Sequence, residues 1–222
     1  MTSLHLGRRQ FLLGATSLAA LGLAGCTTTG TARPVASARP VVPPDVLAMY
    51  AAQPDERFPL PAADVSRLNP VYYRQLVANP TGEPPGTVVV DTANRFLYLV
   101  VEGGQAMRYG VGIGRDGFAW SGRAKIAYKR EWPRWTPPSE MIERQPELEQ
   151  YRRGMEPGLD NPLGARALYI FKDGKDTLYR LHGNPDVTTI GKAVSSGCVR
   201  LLQQDVIDLY NRVPNGAPIL VI

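Results

Sequence analysis

Two side chains in this sequence have the types and spacing for nucleophilic catalysis. The 222-residue chain holds two cysteines and two histidines, and one of each, His182 and Cys198, falls in a single glycine-rich stretch, YRLHGNPDVTTIGKAVSSGCVRLL. A thiol attacks carbonyl carbon as its thiolate, and a free cysteine is mostly protonated near neutral pH. An imidazole within hydrogen-bond reach takes that proton, leaving a thiolate–imidazolium pair. Cys198 follows Gly197. Glycine permits a tight local backbone there, so the amides of Gly197 and Cys198 can face an oxyanion. Arg200 lies two positions on, and in an extended chain it shares a face with Cys198. Its guanidinium would lower the thiol pKa and hold a substrate carboxylate. A structural ion pair is the alternative use of that charge.

Strands must position these groups. TLYRLHG and ARALYIF read as strands, with His182 at the end of one. TVVVD and RFLYLVVEGGQAMRYGVGIG, beginning after Gly86, read as strand, turn, strand, turn, strand, with Ala93-Asn94 and Gly103-Gly104 at the turns. RAKIAYKREW alternates apolar and charged residues as a half-exposed strand does. LLQQDVIDLYNRV places apolar residues at 202, 206, 209, 210 and 213, which is helical spacing. Pro214-Asn215-Gly216 ends that helix, and PILVI closes the chain as a strand. Between the strands, PRWTPPSEMIERQPELEQYRRGMEPGLDNPLG is an irregular insertion with charged helical pieces, of the length that binding loops and lids have. Trp135 within it could wall a cleft or plug the underside of the loop. The class expected is mainly β, with one late helix and a long irregular insertion.

The N-terminal part reads differently. Arg8 and Arg9 precede an apolar run, Phe11 to Ala24, shorter than the ~20 residues of a membrane-spanning helix. GRRQFLLG resembles a twin-arginine export signal; a general secretory signal is the alternative. Leu23-Ala24-Gly25-Cys26 resembles a bacterial lipobox, which would make residues 1–25 a signal peptide and Cys26 a lipid-bearing N-terminus. That predicts an exported, periplasmic, membrane-anchored protein. Residues 26–60, rich in Pro, Ala and Thr, read as a solvated tether. Residues 61–85 read as an N-terminal extension packed on the catalytic domain, with a short helix capped by Asn69, started at Pro70 and presenting Tyr72, Leu76 and Val77. The catalytic domain is expected over 86–222. On this reading His5 leaves with the signal, and the folded domain keeps one imidazole and one thiol. A Cys26–Cys198 disulfide is the other fate open to both sulfurs.

Composition narrows the chemistry. A net charge of +5 with no Lys/Arg run gives no case for nucleic acid. A catalytic zinc uses about three protein ligands, and one His and one Cys are too few without carboxylates. No CxxC, GxGxxG, Walker or GxSxG motif is present. No cofactor or metal is expected.

His182-Gly183 followed by Ser195-Ser196-Gly197-Cys198-Val199-Arg200-Leu201 resembles the signature of the L,D-transpeptidase (YkuD-type) catalytic domain. Asn161-Pro162-Leu163-Gly164 and the strand pattern near Val88–Val101 match as well, so the resemblance covers about 86–222. Ser196 stands where many members carry His, and GFAWSGRAKI follows the family's Thr-Pro-x-Gly pattern loosely. The resemblance implies a β-sandwich-like domain, Cys198 as nucleophile and His182 as general base. It also implies that the Gly183 carbonyl orients the imidazole, and that Ser195, Ser196 and Arg200 contact substrate. The implied donor is a peptidoglycan tetrapeptide stem. Cys198 attacks the carbonyl of its third-position diamino acid, D-alanine leaves, and an amine takes the acyl group. That amine belongs to another stem or to a protein lysine; water in its place makes a carboxypeptidase. An inactive wall-binding lipoprotein is the non-enzyme alternative.

Overall fold

A computed structural model describes residues 41–115, 121–195 and 197–222. The expectations for the signal peptide, Cys26, Ser196, the tether as far as residue 40 and the GFAW part of GFAWSGRAKI lie outside the described residues.

Eleven strands carry the fold: β1 (Gln75–Ala78), β2 (Val88–Asp91), β3 (Phe96–Val101), β4 (Gln105–Gly110), β5 (Ile113–Gly114), β6 (Gly122–Glu131), β7 (Arg166–Lys172), β8 (Lys175–Asn184), β9 (Ala193–Ser195), β10 (Val199–Leu202) and β11 (Pro218–Val221). Nine form one sheet in the order β1-β4-β3-β2-β11-β6-β7-β8-β10, and β5 pairs with β9 separately. The sheet is mixed: β11 runs parallel to β2, and β10 runs parallel to β8. It folds back on itself. Just past β4, Gly112 exchanges two backbone hydrogen bonds with Arg200 of the β10 edge, at 2.9 and 2.8 Å.

Alternation along the strands explains why the sheet is covered on both faces. Val88, Val90, Leu97, Leu99, Ile219 and Val221 enter the main core, whereas Val89, Tyr98, Val100 and Leu220 enter a cluster on the opposite face. That is why VVVD is continuously apolar instead of alternating. The late helix, α3 (Gln203–Arg212), begins directly after β10. It buries Val206 and Leu209 against the main core, each burial contributing ~1.5–3 kcal/mol. The two shorter helices are α1 (Pro44–Met49) and α2 (Ser139–Arg144).

Two expectations for the N-terminal part need correction. Residues 44–60 are not tether. They contain α1, and Tyr50 and Leu60 are buried. The Glu56 carboxylate holds Arg166 with 2.7 and 2.9 Å hydrogen bonds and accepts from Trp132 at 2.8 Å. The segment has few apolar residues and no period because it docks them one by one onto a surface the sheet supplies. The helix expected in 61–80 is a single 3₁₀ turn, Pro70–Tyr72, with Asn69 capping the Val71 amide as anticipated. Leu76 and Val77 lie instead in β1, which pairs antiparallel with β4. Without β1, β4 would present an open row of backbone groups, and pairing them outweighs a local helical preference.

The same segment reaches α3 through a buried polar cluster. The Tyr50 hydroxyl donates to Asp205 at 3.2 Å and accepts the Arg74 amide at 2.7 Å. Arg74 stands 3.8 Å from Asp205 and 3.3 Å from Asp208. Burial pushes the Asp205 carboxyl up from 3.8 to about 7, against the pull of Arg74 and Tyr50. A carboxyl raised on folding contributes stability that is full below its unfolded pKa and lost as pH rises through its folded pKa. Relative to Asp205→Asn, the wild-type chain is expected to lose thermal stability as pH rises from about 4 to about 7. Melting curves that stay parallel across that window would refute the assignment.

Candidate active site

The site is built on the β8–β10 edge. In the parallel register Val199 lies opposite Leu181 and Arg200 opposite His182, so Cys198 falls opposite Arg180. Leu181, Val199 and Leu201 point into the core and are fully buried. The alternate positions, Arg180, His182, Cys198 and Arg200, therefore share the outer face. Two neighbouring strands thus bring one thiol, one imidazole and two guanidinium groups onto one patch.

His182 is 5% exposed, and its Nδ1 lies 2.9 Å from the carbonyl oxygen of Gly183. A carbonyl only accepts, so Nδ1 carries the proton and Nε2 presents a lone pair. Burial pulls the imidazole down to about 4, helped by Arg200 and Arg180 and opposed by the carbonyls of Gly183 and Pro162. The ring is a neutral acceptor at ordinary pH.

Gly183 is held on every side. Its amide donates to the Leu163 carbonyl at 3.1 Å. A Cβ on it would run into the Gln203 side chain, whose Oε1 accepts the Ala165 amide at 2.9 Å. Leu163 belongs to the Asn161-Pro162-Leu163-Gly164 turn. There the buried Asn161 side chain donates to the carbonyls of Pro133, Met155 and Glu156, and accepts the Leu163 amide at 2.9 Å. One asparagine therefore clamps both ends of the insertion beside the catalytic strand.

Cys198 is partly buried, and among the described residues its thiol donates to the Leu178 carbonyl, at 3.8 Å, rather than to the imidazole. Burial pushes its pKa up and outweighs the Arg180 amide and the charges of Arg180 and Arg200, which pull it down. The expected thiol–imidazole contact is therefore not made in this arrangement, and the lowering by Arg200 is present but outweighed by burial. Desolvation disfavours charge on both the thiol and the ring.

Two more of the expected residues lie in the loop before Cys198. Ser195 is buried, its hydroxyl donates to the Cys198 carbonyl at 2.7 Å and accepts the Gly197 amide at 3.2 Å. Ser195 therefore shapes the loop while also lining the smaller recess beside Cys198, and the Gly197 amide is engaged within the loop instead of facing an oxyanion. Gly197, at φ 133°, is needed for the bend. The Cys198 amide has no acceptor among the described residues and is the donor left for an oxyanion.

The thiol opens onto two recesses. One, of about 480 Å³, is lined by Trp135, Met141, Tyr169, Arg180 and Cys198. The other, of about 240 Å³, is lined by Trp135, Leu163, His182, Cys198 and Arg200. Trp135 borders both. It is fixed by backbone pairing with Met155, and its ring lies 6.3 Å from that of Tyr151. Among the described residues no carboxylate forms a contact ion pair with Arg200, although the charge of Asp186 reaches it, and no group of three or more metal-ligating side chains is present. Sequence reasoning passed over Arg180 and Gln203. Arg180 could have been found from period two back from His182; Gln203 leaves no signal, since its role depends on the gap that Gly183 leaves.

A family model described as the L,D-transpeptidase catalytic domain (YkuD) matches residues 85–221. A putative L,D-transpeptidase encoded in an ATP synthase region of Fuscovulum blasticum is 32% identical over 137 residues, 61% of this chain and 68% of its own length. The probable L,D-transpeptidase YbiS of Escherichia coli K12 is 34% identical over 141 residues, 58% of this chain but 42% of its own length, so the match spans less than half of that relative. A solved chain from Brucella melitensis, described as a probable carnitine operon oxidoreductase, is 45% identical, covering 72% of this chain and 99% of its own, with a TM-score of 0.49. At that score the likeness carries no argument about activity.

Gly183→Ala is expected to destabilise the protein by about 2 kcal/mol through overpacking against Gln203. Gln203→Ala added to it should recover part of that loss in thermal melts. Strictly additive effects of the two changes would refute the contact.

Proposed function

The chain belongs to the family of L,D-transpeptidase catalytic domains, and on that premise we propose that it transfers a peptidoglycan stem peptide through a Cys198 acyl-enzyme. The observation that carries the reading is the imidazole of His182, neutral and held through Nδ1 by Gly183, on the same face as Cys198.

The donor is a tetrapeptide stem. As it enters, the thiol leaves the Leu178 carbonyl and passes its proton to Nε2 of His182. The sulfur attacks the carbonyl carbon of the third-position diamino acid, and the oxyanion faces the Cys198 amide. Collapse breaks the bond to D-alanine, whose departing amine takes the proton from His182. The thioester then meets an amine, whose proton returns to His182 as the new amide forms, and the thiolate is reprotonated by the ring. Arg200, which lines the smaller recess beside Cys198, supplies a cation for a carboxylate of the stem. Trp135 and Ser196 are proposed to border the bound peptide. Burial of the site favours this stepwise traffic of one proton, since it never separates charge until substrate is present to stabilise it.

The acceptor is proposed to be the amine of a second stem; a protein lysine or water would resolve the same acyl-enzyme. Incubation with disaccharide-tetrapeptide, alone and with an acceptor stem, should release D-alanine and give cross-linked product by mass spectrometry. Cys198→Ala should give neither product nor acyl adduct. Turnover that persists in that variant would sink the mechanism, and a wild-type chain that binds stem without reacting would favour an inactive wall-binding protein.

The N-terminal residues support export and anchoring. We read residues 1–25 as a signal and Cys26 as the lipid-bearing residue of a periplasmic, membrane-anchored protein. Wild-type protein from membranes should carry a lipid mass increment that Cys26→Ser lacks; an unmodified wild-type mass would remove the anchor.

A further inference from the structure

Cys198 is flanked on two sides. His182 and Arg200 border it in the smaller recess, and in the larger one it meets the bend at the start of β8. That bend is irregular. Pairing between β7 and β8 shifts between Tyr169 and Phe171. Leu178 has a φ of 61°, in the left-handed region that costs an ordinary side chain about 1–2 kcal/mol. Leu178 is also 62% exposed, so burial of its side chain does not hold it there.

Neighbouring side chains hold it instead. Asp176 Oδ1 accepts the Leu178 amide at 2.8 Å. Thr177 Oγ1 donates to the Ile170 carbonyl at 2.7 Å and accepts the Tyr179 amide at 3.2 Å. In this conformation the Leu178 carbonyl accepts the Cys198 thiol. A strained backbone residue whose carbonyl meets a reactive sulfur is the pattern expected where the site, not the fold, requires the strain.

The same carboxylate has a second hold. Arg180 Nη1 and Nη2 donate to Asp176 Oδ1 and Oδ2, each at 2.7 Å. The guanidinium also lies over the Tyr169 ring, 4.3 Å from its centroid. Arg180 is the register neighbour of Cys198, and both its amide and its charge act on the sulfur. One carboxylate therefore fixes the acceptor on which the thiol rests and the cation beside it.

We propose that Asp176 is a positioning residue for the Cys198 nucleophile, holding the Leu178 carbonyl and the Arg180 guanidinium against it. The assignment rests on Cys198 being the nucleophile of the transfer reaction. An exposed i,i+4 ion pair with no such role would contribute only about 0.5 kcal/mol of stability and leave the thiol unaffected.

Asp176→Asn keeps an acceptor for the Leu178 amide and removes the charge; Asp176→Ala removes both holds. In the full chain, iodoacetamide alkylation is followed across pH at the Cys198 peptide by mass spectrometry. Asp176→Asn should move the midpoint of alkylation to lower pH, because the sulfur loses a nearby anion and Arg180 loses its neutralising partner. Asp176→Ala should slow acylation by disaccharide-tetrapeptide on the order of a hundredfold, the scale of a small misplacement of a reacting atom, with KM little changed. An alkylation midpoint in Asp176→Asn that is unchanged, or moved to higher pH, would overturn the proposal. So would wild-type acylation by Asp176→Ala. Should the alanine variant fail to fold, the asparagine profile decides alone. Alkylation needs no peptidoglycan, so a wild-type chain that never acylates would defeat the transferase reading while this test still gives its answer.

Discussion

The parallel register of β8 with β10 is the constraint on which the site depends. It sets Arg180 beside Cys198 and His182 beside Arg200. A slip of β10 by one residue would turn Cys198 and Arg200 towards the core and bring Val199 and Leu201 to the cleft. Leu181, Val199 and Leu201 are fully buried, and their burial pins the register more firmly than any contact within the site could. The hydrophobic core thus selects the catalytic geometry. The Gly112–Arg200 bonds then tie the outer strand to the far side of the folded sheet, so that the edge carrying Arg200 is not free to fray.

Burial also sets the electrostatics. The imidazole is lowered and the thiol raised chiefly because each is removed from water, an effect the nearby arginines oppose at the sulfur and add to at the ring. Two arginines favour a thiolate, yet they also disfavour an imidazolium, so they cannot stabilise the ion pair as a whole. That conflict keeps the resting site neutral. It leaves charge separation to a moment when a bound ligand alters the balance around both groups. Until then the Cys198 thiol rests on a carbonyl, in a bend whose strain is borne by Asp176 and Thr177.

Much of this was legible in the sequence, and what was not has physical reasons. Strands β2 to β4, β6 to β8 and β11 showed through their apolar runs and turn residues, and α3 through its period. His182, Cys198 and Arg200 showed through rarity and spacing, and Gly183 through the family resemblance. Ser195 and Gly197 were recognised as important, but their hydrogen bonds point into the loop, a direction no spacing encodes. Leu76 and Val77 fit a helical pattern and became strand because β4 had an open edge. Tyr50 and Leu60 lay in a proline-rich stretch whose few apolar residues have meaning only against a surface formed elsewhere in the chain. Asn161 was visible as part of a motif, while its reach to three carbonyls of the insertion was not.

The N-terminal segment and the catalytic strand meet in the first turn of α3. Gln203 fills the space beside Gly183 and holds the Ala165 amide. Gln204 donates to the carbonyls of Ala51 and Pro61, at 3.2 and 3.1 Å. Asp205 accepts the Tyr50 hydroxyl and faces Arg74. Consecutive residues of one helical turn therefore bind the catalytic glycine on one side and residues 50–74 on the other, all of them buried. Buried polar contacts of this kind are costly to break singly, because each leaves a partner without water or protein to bond. Loss of the N-terminal segment would expose or orphan Gln204 and Asp205 directly beside Gln203. The residues that precede the family's catalytic domain in the sequence are thus part of the support of His182, through Gln203 and Gly183, and the boundary of the working unit lies well before residue 85.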